Sequence, residues 1–268
     1  MLGLGNSIVR DSPSPKFTNY SGSFDGTADF VLLPEVAALK PTAAISVSIW
    51  IKPNAWDMTN GANDDYPIGC VSSGGWGIFL SNSGGQVTTL NFIVRVSDND
   101  AGSGGAQEGY LTATMNTATT EALSGWKNVV GTYDGETAKL YVNGSTTGIT
   151  QATGESGQTI VYHGSNDRPV MLGADAFADD SGQHFYHGLL DDVAIFNDDL
   201  SAAEVTAIYN DGVPFDLTKN KGDYASSGDL VGYWLFEEGA GTAVADSSTN
   251  SNNGGVGNAW SWSTDAPQ

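Results

Sequence analysis

Alternation of apolar and polar residues is the clearest pattern along this chain, and it predicts β-strands. In residues 45–53, ISVSIWIKP, isoleucine and valine occupy one face while Ser46, Ser48 and Trp50 occupy the other. This predicts a strand buried on one side. A similar run, LNFIVRVSD, covers residues 90–98, and shorter strands are predicted at PIGCVSS, GWGIFLSN, RPVMLGAD and HGLLDDVAIFN.

Turn signals join some of these runs into hairpins. In WKNVVGTYDGETAKLYVNG, residues 126–144, two apolar runs flank Asp134 and Gly135. Glycine adopts a positive φ at little cost, so a tight primed turn that matches the strand twist is predicted here. Asn143-Gly144 offers the same chemistry at the far end of the hairpin.

One segment, LSAAEVTAIYNDG, breaks the β pattern. Ser201 followed by Glu204 forms a capping box, and Val205, Ile208 and Tyr209 supply an apolar stripe. One short helix is therefore predicted near 201–210. Together with the strand and turn spacing, this predicts an all-β, antiparallel sandwich.

The charge balance excludes some classes of partner. Ten basic residues stand against 31 acidic ones, a net charge of −21, which repels phosphate backbones and anionic membranes. Solubility and capture of divalent cations are the two uses of such charge that are left open. The single cysteine, Cys70, excludes an internal disulfide and is expected to be a buried apolar residue.

The order of these segments resembles the LamG-like (laminin G type 3) domains of the concanavalin A-like lectin/glucanase superfamily. The matching pieces span residues 23–212 and are SFDGTADFVLLP, ISVSIWIKP, GWKNVVGTYDGETAKLYVNG, VMLGAD and HGLLDDVAIFNDDLSAAEVTAIYNDG. The resemblance implies a concanavalin A-like jelly roll.

The stretch LVGYWLFEEGAGTAVADSSTNSNNGG, residues 230–255, looks like the opening of such a domain but lies near the end of the chain. It is either a second repeat cut short or the same strand supplied from the other terminus. It is too short for a second sandwich, and chain ends often lie close together. We therefore predict a circularly permuted fold in which Val231–Phe236 adds to the sheet beside the N-terminal strands.

This interpretation sets the domain limits: an N-terminal arm at 1–20 and a single sandwich at 21–265, which residues 230–262 complete. The opening, MLGLGNSIV, resembles structural proteins of marine tailed bacteriophages and lacks an apolar run long enough for a signal peptide. The resemblance implies a non-catalytic virion protein (head decoration, fibre or tail component) made in the host cytoplasm. Its partners would be other virion proteins, host-surface glycans or further copies of itself.

Two other functions are considered. One is a carbohydrate-binding module of a bacterial surface or secreted protein, and the other is a glucan hydrolase. Glucanases of this fold carry a Glu-x-Asp-x-(x)-Glu strand, whereas LLDDVAIF has Asp191 and Asp192 adjacent, which predicts opposite faces. No enzyme activity is therefore expected, and His163, His184 and His187 are predicted to be surface residues.

The loop AVADSSTNSNNGG is the strongest candidate site. Asp246, Ser248, Asn250 and Asn252 place oxygen atoms at every second position, and Ca²⁺ binds six to eight oxygens. The resemblance implies Ca²⁺ at a loop edge, with the strand of Asp191 and Asp192 approaching it. The alternative is an Asn/Gly-rich turn whose side chains cap their own backbone.

The seven tryptophans raise the question of sugar stacking. Trp50 is predicted to be either exposed or turned toward the other sheet, and Trp260 and Trp262 alternate, so they share a face. Tryptophan is common in protein cores as well as in ligand sites, so the sequence alone places no glycan site.

Overall fold

The structure, a computed structural model, describes residues 19–54, 64–71, 74–83, 86–97, 108–117, 124–162, 168–176, 181–256 and 260–268. The first strands are β1 (Ser21–Asp25), β2 (Val31–Leu32), β3 (Ile45–Pro53), β4 (Asp64–Gly69), β5 (Trp76–Ser83), β6 (Gln86–Ser97), β7 (Glu108–Asn116), β8 (Lys127–Tyr133) and β9 (Thr137–Val142). The later strands are β10 (Ile149–Thr150), β11 (Ala152–Thr153), β12 (Met171–Leu172), β13 (Asp175–Ala176), β14 (Gly182–Gln183), β15 (His187–Phe196), β16 (Leu230–Trp234), β17 (Gly255–Val256) and β18 (Ser261–Ser263).

Helical structure is short. The α-helix α1 covers Ala202–Tyr209, and single 3₁₀ turns lie at Ala37–Leu39, Asn210–Gly212 and Ser227–Asp229. The predicted capping box is present at the start of α1, where the backbone N–H of Glu204 donates to the side chain of Ser201. No helix in the described part of the chain has the length and apolar character that crossing a bilayer requires.

Two antiparallel sheets form the sandwich, which confirms the predicted fold class. Sheet A has the order β11-β9-β8-β3-β15-β1-β18, with β16 also paired to β15, and sheet B has the order β10-β7-β6-β5-β4-β12-β2-β17. Between the sheets lies a core that includes Ile45, Val47, Ile49 and Ile51 of β3, all with no exposed surface. Burying each side chain of this size contributes about 1.5–3 kcal/mol.

The other face of β3 is also buried, so the prediction of a strand buried on one side is wrong. Ser46, Ser48 and Trp50 are 0%, 1% and 3% exposed, because α1 and the segment that follows it cover this outer face of sheet A. The covering layer and the sheet residues beneath it form a second apolar cluster: Val130, Tyr141, Ala194, Phe196, Leu200, Val205, Ile208, Leu217, Tyr224, Leu230 and Tyr233.

The predicted β8–β9 hairpin is confirmed, but its turn differs from the prediction. The last pair is Tyr133 with Ala138, so the loop is longer than a two-residue primed turn. Asp134 stabilises this loop, because its Oδ1 accepts the backbone N–H groups of the second and third residues after it. The primed turn occurs at the far end, where Asn143 and Gly144 have φ of 51° and 72°.

Residues 230–263 contribute to both sheets. β16 pairs with the second half of β15, whereas β1 pairs with its first half. Because β3 occupies the other edge of β15, β1 and β16 lie end to end along one edge. The direct neighbour of β16 is thus β15 and not the N-terminal strand as predicted, while β18 pairs with β1 and β17 with β2. Circular permutation stays a prediction, and most of the predicted arm lies outside the described residues.

Candidate functional site

Two cavities that share Asp265 form a candidate binding region in the described part of the chain. One, of about 510 Å³, is here called the aromatic cavity, and its walls include Trp50, Trp126, Tyr209, Asn143 and Asp265. The other, of about 500 Å³, is called the polar cavity, and its walls include Asp25, Asp29, Lys52, Asn54, His187 and Asp265. Each is large enough for one or two sugar residues.

Neighbouring strands and the end of α1 position the aromatic side chains. Trp50 lies on the outer face of β3 and stacks on Tyr209, with ring centroids 6.1 Å apart and planes inclined by 29°. Trp126 directly precedes β8, the strand that pairs with β3. Asn143 lies in the primed turn, and its Oδ1 accepts from the backbone N–H of Asn128 at 3.0 Å.

Asp265 is held in place through both its side chain and its backbone. Its Oδ2 forms an ion pair with Lys52, and its Oδ1 accepts from the indole N–H of Trp126 at 2.9 Å. Its carbonyl oxygen accepts from the hydroxyl of Ser21 at 2.7 Å. The hydrogen bond from Lys52 is the main cause of a lowered pKa of Asp265, so this wall residue is ionised at neutral pH.

Two further carboxylates line the polar cavity. Asp25 closes its own turn, accepting the backbone N–H groups of Thr27 and Ala28 at 2.8 and 3.0 Å. Burial disfavours its charge, but these bonds outweigh burial and lower the pKa of Asp25 to about 2. Asp29 is 7% exposed, and its Oδ2 accepts from the backbone N–H of Asp25 at 3.0 Å. Burial, followed by the charge of Asp25, raises the pKa of Asp29.

The predicted loop ligands are engaged in hydrogen bonds. Asp246 Oδ1 accepts the backbone N–H groups of Tyr233 and Ser248 at 2.9 and 2.8 Å. Its Oδ2 accepts the Ser248 hydroxyl and the backbone N–H of Asn252 at 2.8 and 2.7 Å. The amides of Asn250 and Asn252 donate to backbone carbonyls of β16. With four donors on one carboxylate, this loop fits the self-capping turn and offers no free carboxylate for a cation.

The surroundings of Asp191 and Asp192 differ from those of Asp246. The pairing of β15 with β3 shifts register between Asp191 and Ala194, and Asp192 has a φ of 45°. The regular alternation behind the prediction of opposite faces is therefore interrupted at this bulge. The two residues are 0% and 3% exposed, and the bulge lies where β1 ends and β16 begins along β15.

Each of these carboxyl groups has one buried oxygen, Oδ2, without a hydrogen-bond partner among the described residues. Asp192 Oδ1 accepts the hydroxyl of Tyr233 at 2.6 Å. Burial is the main cause of a raised pKa for both acids, and the charge of Asp192 raises the pKa of Asp191 further. Two buried carboxyl groups whose oxygens lack hydrogen-bond donors could act as ligands of a bound cation.

The acid pair borders little free space, and two of the histidines contact neighbouring polar groups. The cavity beside Asp192 has a volume of about 10 Å³, which is room for about one water molecule and not for a sugar. His184 Nδ1 lies 3.2 Å from the Asp64 carbonyl oxygen, and His187 Nε2 lies 2.9 Å from the side-chain amide of Asn54. His163 lies outside the described residues.

The other tryptophans and the cysteine have structural surroundings. Trp260 is 8% exposed and stacks on Phe24, with centroids 6.0 Å apart, and Trp262 packs against Trp260 at 4.5 Å. Cys70 is 3% exposed, as predicted. Sequence reasoning did not identify Trp126, Tyr209 or Asp265 as site residues. The position of Trp126 directly before a strongly predicted strand was a signal that could have found it, whereas nothing in the sequence marked Asp265.

Comparison with known proteins gives one family match. The model for the family Laminin_G_3, described as "Concanavalin A-like lectin/glucanases superfamily", matches residues 25–206. No curated protein matches the chain by sequence.

Among solved structures, the chain is similar to a "putative carbohydrate binding protein" from Bacteroides ovatus, with a TM-score of 0.62 and 16% identity over 94% of this chain. The match spans 62% of that protein's chain. A heptameric SAP-like pentraxin from Limulus polyphemus gives a TM-score of 0.48 and 15% identity over 90% of this chain and 96% of its own. The sialidase CBM40 of Ruminococcus gnavus gives a TM-score of 0.46 and 16% identity, over 74% of this chain and 97% of its own.

Proposed function

We propose that this chain, which belongs to the concanavalin A-like lectin/glucanases superfamily, is a non-catalytic carbohydrate-binding module. The observation that carries the proposal is the aromatic cavity, where Trp126 and Tyr209 are partly exposed beside the polar groups of Asn143 and Asp265. Aromatic rings pack on the C–H faces of sugars, and a few well-placed polar groups fix their hydroxyls. The name of the Bacteroides ovatus structure supports the same class of ligand.

The proposal assigns roles to three groups of the cavity. Trp126 supplies the stacking surface, and its hydrogen bond to Asp265 fixes the orientation of the ring. Trp50 lies beneath Tyr209 and supports the second ring, because it is itself almost fully buried. The side-chain N–H₂ of Asn143 supplies a neutral donor for a sugar hydroxyl, since its oxygen already accepts from Asn128.

A glycan array followed by calorimetry on the best ligand tests this proposal. Replacing Trp126 by Ala should weaken binding about 2- to 12-fold, because stacking on a ring contributes about 0.5–1.5 kcal/mol. The matched control is Tyr110→Ala, since Tyr110 is 52% exposed on β7 of the other sheet and stacks with Arg95 outside both cavities. Binding that Trp126→Ala does not weaken, or no binding to any neutral, amino or acidic glycan, would contradict the proposal.

The calcium ion that the resemblance implies would bind at Asp191 and Asp192 and not at the loop of Asp246. The two buried carboxylates supply the anionic ligands. Among the described residues no third His, Cys, Asp or Glu joins them as a ligand, so backbone carbonyls or water would complete the shell. Bound there, the ion would neutralise the pair and hold β15 at the junction of β1 and β16.

The virion role stays a prediction. Its motif, MLGLGNSIV, lies outside the described residues, and the fold fits a module displayed on a phage particle as well as one on a bacterial surface. On a phage, the same cavities would face host glycans. Mass spectrometry of purified particles tests the assignment, and absence of the protein from them would refute it.

A further inference from the structure

The described wall of the polar cavity offers a ligand two hydrogen-bond acceptors. Asp29 is 93% buried yet lines the cavity, and its Oδ2 is held by the backbone N–H of Asp25. No described residue donates to its other oxygen, Oδ1. Asn54 donates its amide N–H to His187 Nε2, which leaves the Asn54 oxygen as a second acceptor in the same wall.

The positive charge of this cavity is already neutralised. Among the described residues of its wall, Lys52 is the only lysine or arginine, and it forms an ion pair with Asp265. Asp25 stays ionised beside Asp29, since its carboxylate accepts three backbone N–H groups and the Thr27 hydroxyl. The chain as a whole carries −21. A uronate, sialate or sulfate group would therefore meet electrostatic repulsion.

From this arrangement we propose that the polar cavity selects an amino sugar, whose primary ammonium group donates to Asp29 Oδ1 while an adjoining sugar stacks in the aromatic cavity. The inference rests on the proposed carbohydrate-binding function and names its ligand class. A charge-assisted hydrogen bond in a partly buried site is stronger than a neutral one. The same sugar with an N-acetyl group loses the charge and gains bulk, so it serves as the matched ligand.

Calorimetry with a glucosamine tetramer, its N-acetylated form and a glucuronate-containing oligomer tests the proposal on the full chain. The glucosamine tetramer should bind about 10-fold tighter than the N-acetylated one, and the glucuronate oligomer weakest. This preference should shrink as salt rises from 0.05 to 0.5 M, because salt screens the ion pair. The salt series needs no variant and so does not depend on a substituted protein folding.

Asp29→Asn keeps an oxygen that can accept from the backbone of Asp25, and its melting curve reports whether the fold is retained. It should abolish the amine preference, so that the two tetramers bind with equal affinity. Asp223→Asn, at an exposed acid outside both cavities, should leave the preference intact. Equal affinities for the two tetramers, a preference unaffected by salt, or a preference that survives Asp29→Asn would overturn this inference.

Failure of this inference can be distinguished from failure of the proposed function. If neutral oligomers bind through Trp126 without any amine preference, the amino-sugar inference is wrong and carbohydrate binding stands. If no glycan of any class binds, both are wrong.

Discussion

Asp246 and the Asp191–Asp192 pair carry the same functional group and contact the same tyrosine, yet their surroundings are opposite. The backbone N–H of Tyr233 donates to Asp246, and its hydroxyl donates to Asp192. Asp246 accepts four hydrogen bonds, whereas each acid of the pair keeps a bare buried oxygen. The hydrogen-bond donors around a carboxylate therefore decide whether it stabilises a loop or is available to bind a cation.

The largest effect is expected at Asp246. Asp246→Ala leaves three backbone N–H groups and one hydroxyl without their acceptor, so the free energy of unfolding should fall by about 3 kcal/mol. Urea denaturation with and without Ca²⁺ measures this loss, which should be the same in both conditions. A loss that appears only when Ca²⁺ is present would place the ion at Asp246 and not at the Asp191–Asp192 pair.

Calcium should act through the other carboxylates. At about 100 times its Kd, Ca²⁺ should add about 2.7 kcal/mol to the free energy of unfolding. The double variant Asp191→Asn/Asp192→Asn should lose this gain and melt higher than the unsubstituted protein in EDTA, because it removes two acids whose ionisation the buried site disfavours. Thermal unfolding at millimolar Ca²⁺ checks both, with Asp223→Asn as the control. If the stabilisation by Ca²⁺ persists in the double variant, Asp191 and Asp192 do not bind the ion.

The stability of the metal-free protein should depend on pH through the same two acids, Asp191 and Asp192. Burial raises the pKa of Asp192 to about 8 against the opposing hydrogen bond from Tyr233, and it raises the pKa of Asp191 as well. An acid with a higher pKa in the folded state stabilises the fold while protonated. That stability is present below about pH 4 and is lost as pH rises through the folded pKa.

In EDTA, stability should therefore fall between pH 5 and pH 7 by about 1.4 kcal/mol per pH unit for each acid of the pair that stays protonated in the folded state. Asp29 and Glu237 also have raised pKa values, so the double variant at Asp191 and Asp192 isolates the contribution of the pair. Denaturant unfolding at several pH values measures the slope. A slope as steep in the double variant as in the unsubstituted protein would contradict the assignment.

The smallest effect is expected at Asn250. This residue is exposed, and its amide donates to the Leu230 carbonyl at 3.1 Å and to the Ser248 hydroxyl at 3.3 Å. Asn250→Ala should cost about 0.5 kcal/mol, because water can replace both bonds. Its calcium response should equal that of the unsubstituted chain. A lost response would make the loop part of the ion site.

Local signals in the sequence predict local structure here. The capping box of Ser201 and Glu204 and the turn at Asn143-Gly144 occur as predicted, because each depends on atoms a few residues apart. The bulge at Asp192 does not follow from the strict alternation on which the strand prediction rests. The prediction was therefore right about the strand and could not show how the two acids are arranged.

The burial of Ser48 and Trp50 depends on distant parts of the chain. Their alternation with isoleucine suggested a solvated face, but α1 and the residues after it cover that face. Trp126 and Asp265 meet only because the β3–β8 register and the last residues of the chain bring them together. Pairings of such long range leave no local pattern, so the aromatic cavity could not be located from the sequence.

The end-to-end placement of β1 and β16 along β15 has a consequence for the order of assembly during synthesis. β1 emerges from the ribosome early but cannot pair until His187–Phe196 has been made, and half of that strand's edge then stays open until Leu230–Trp234 follows. Contacts so distant in sequence slow folding. The nascent chain therefore exposes an unpaired strand edge late in translation, and chaperone binding or self-association would act at that edge.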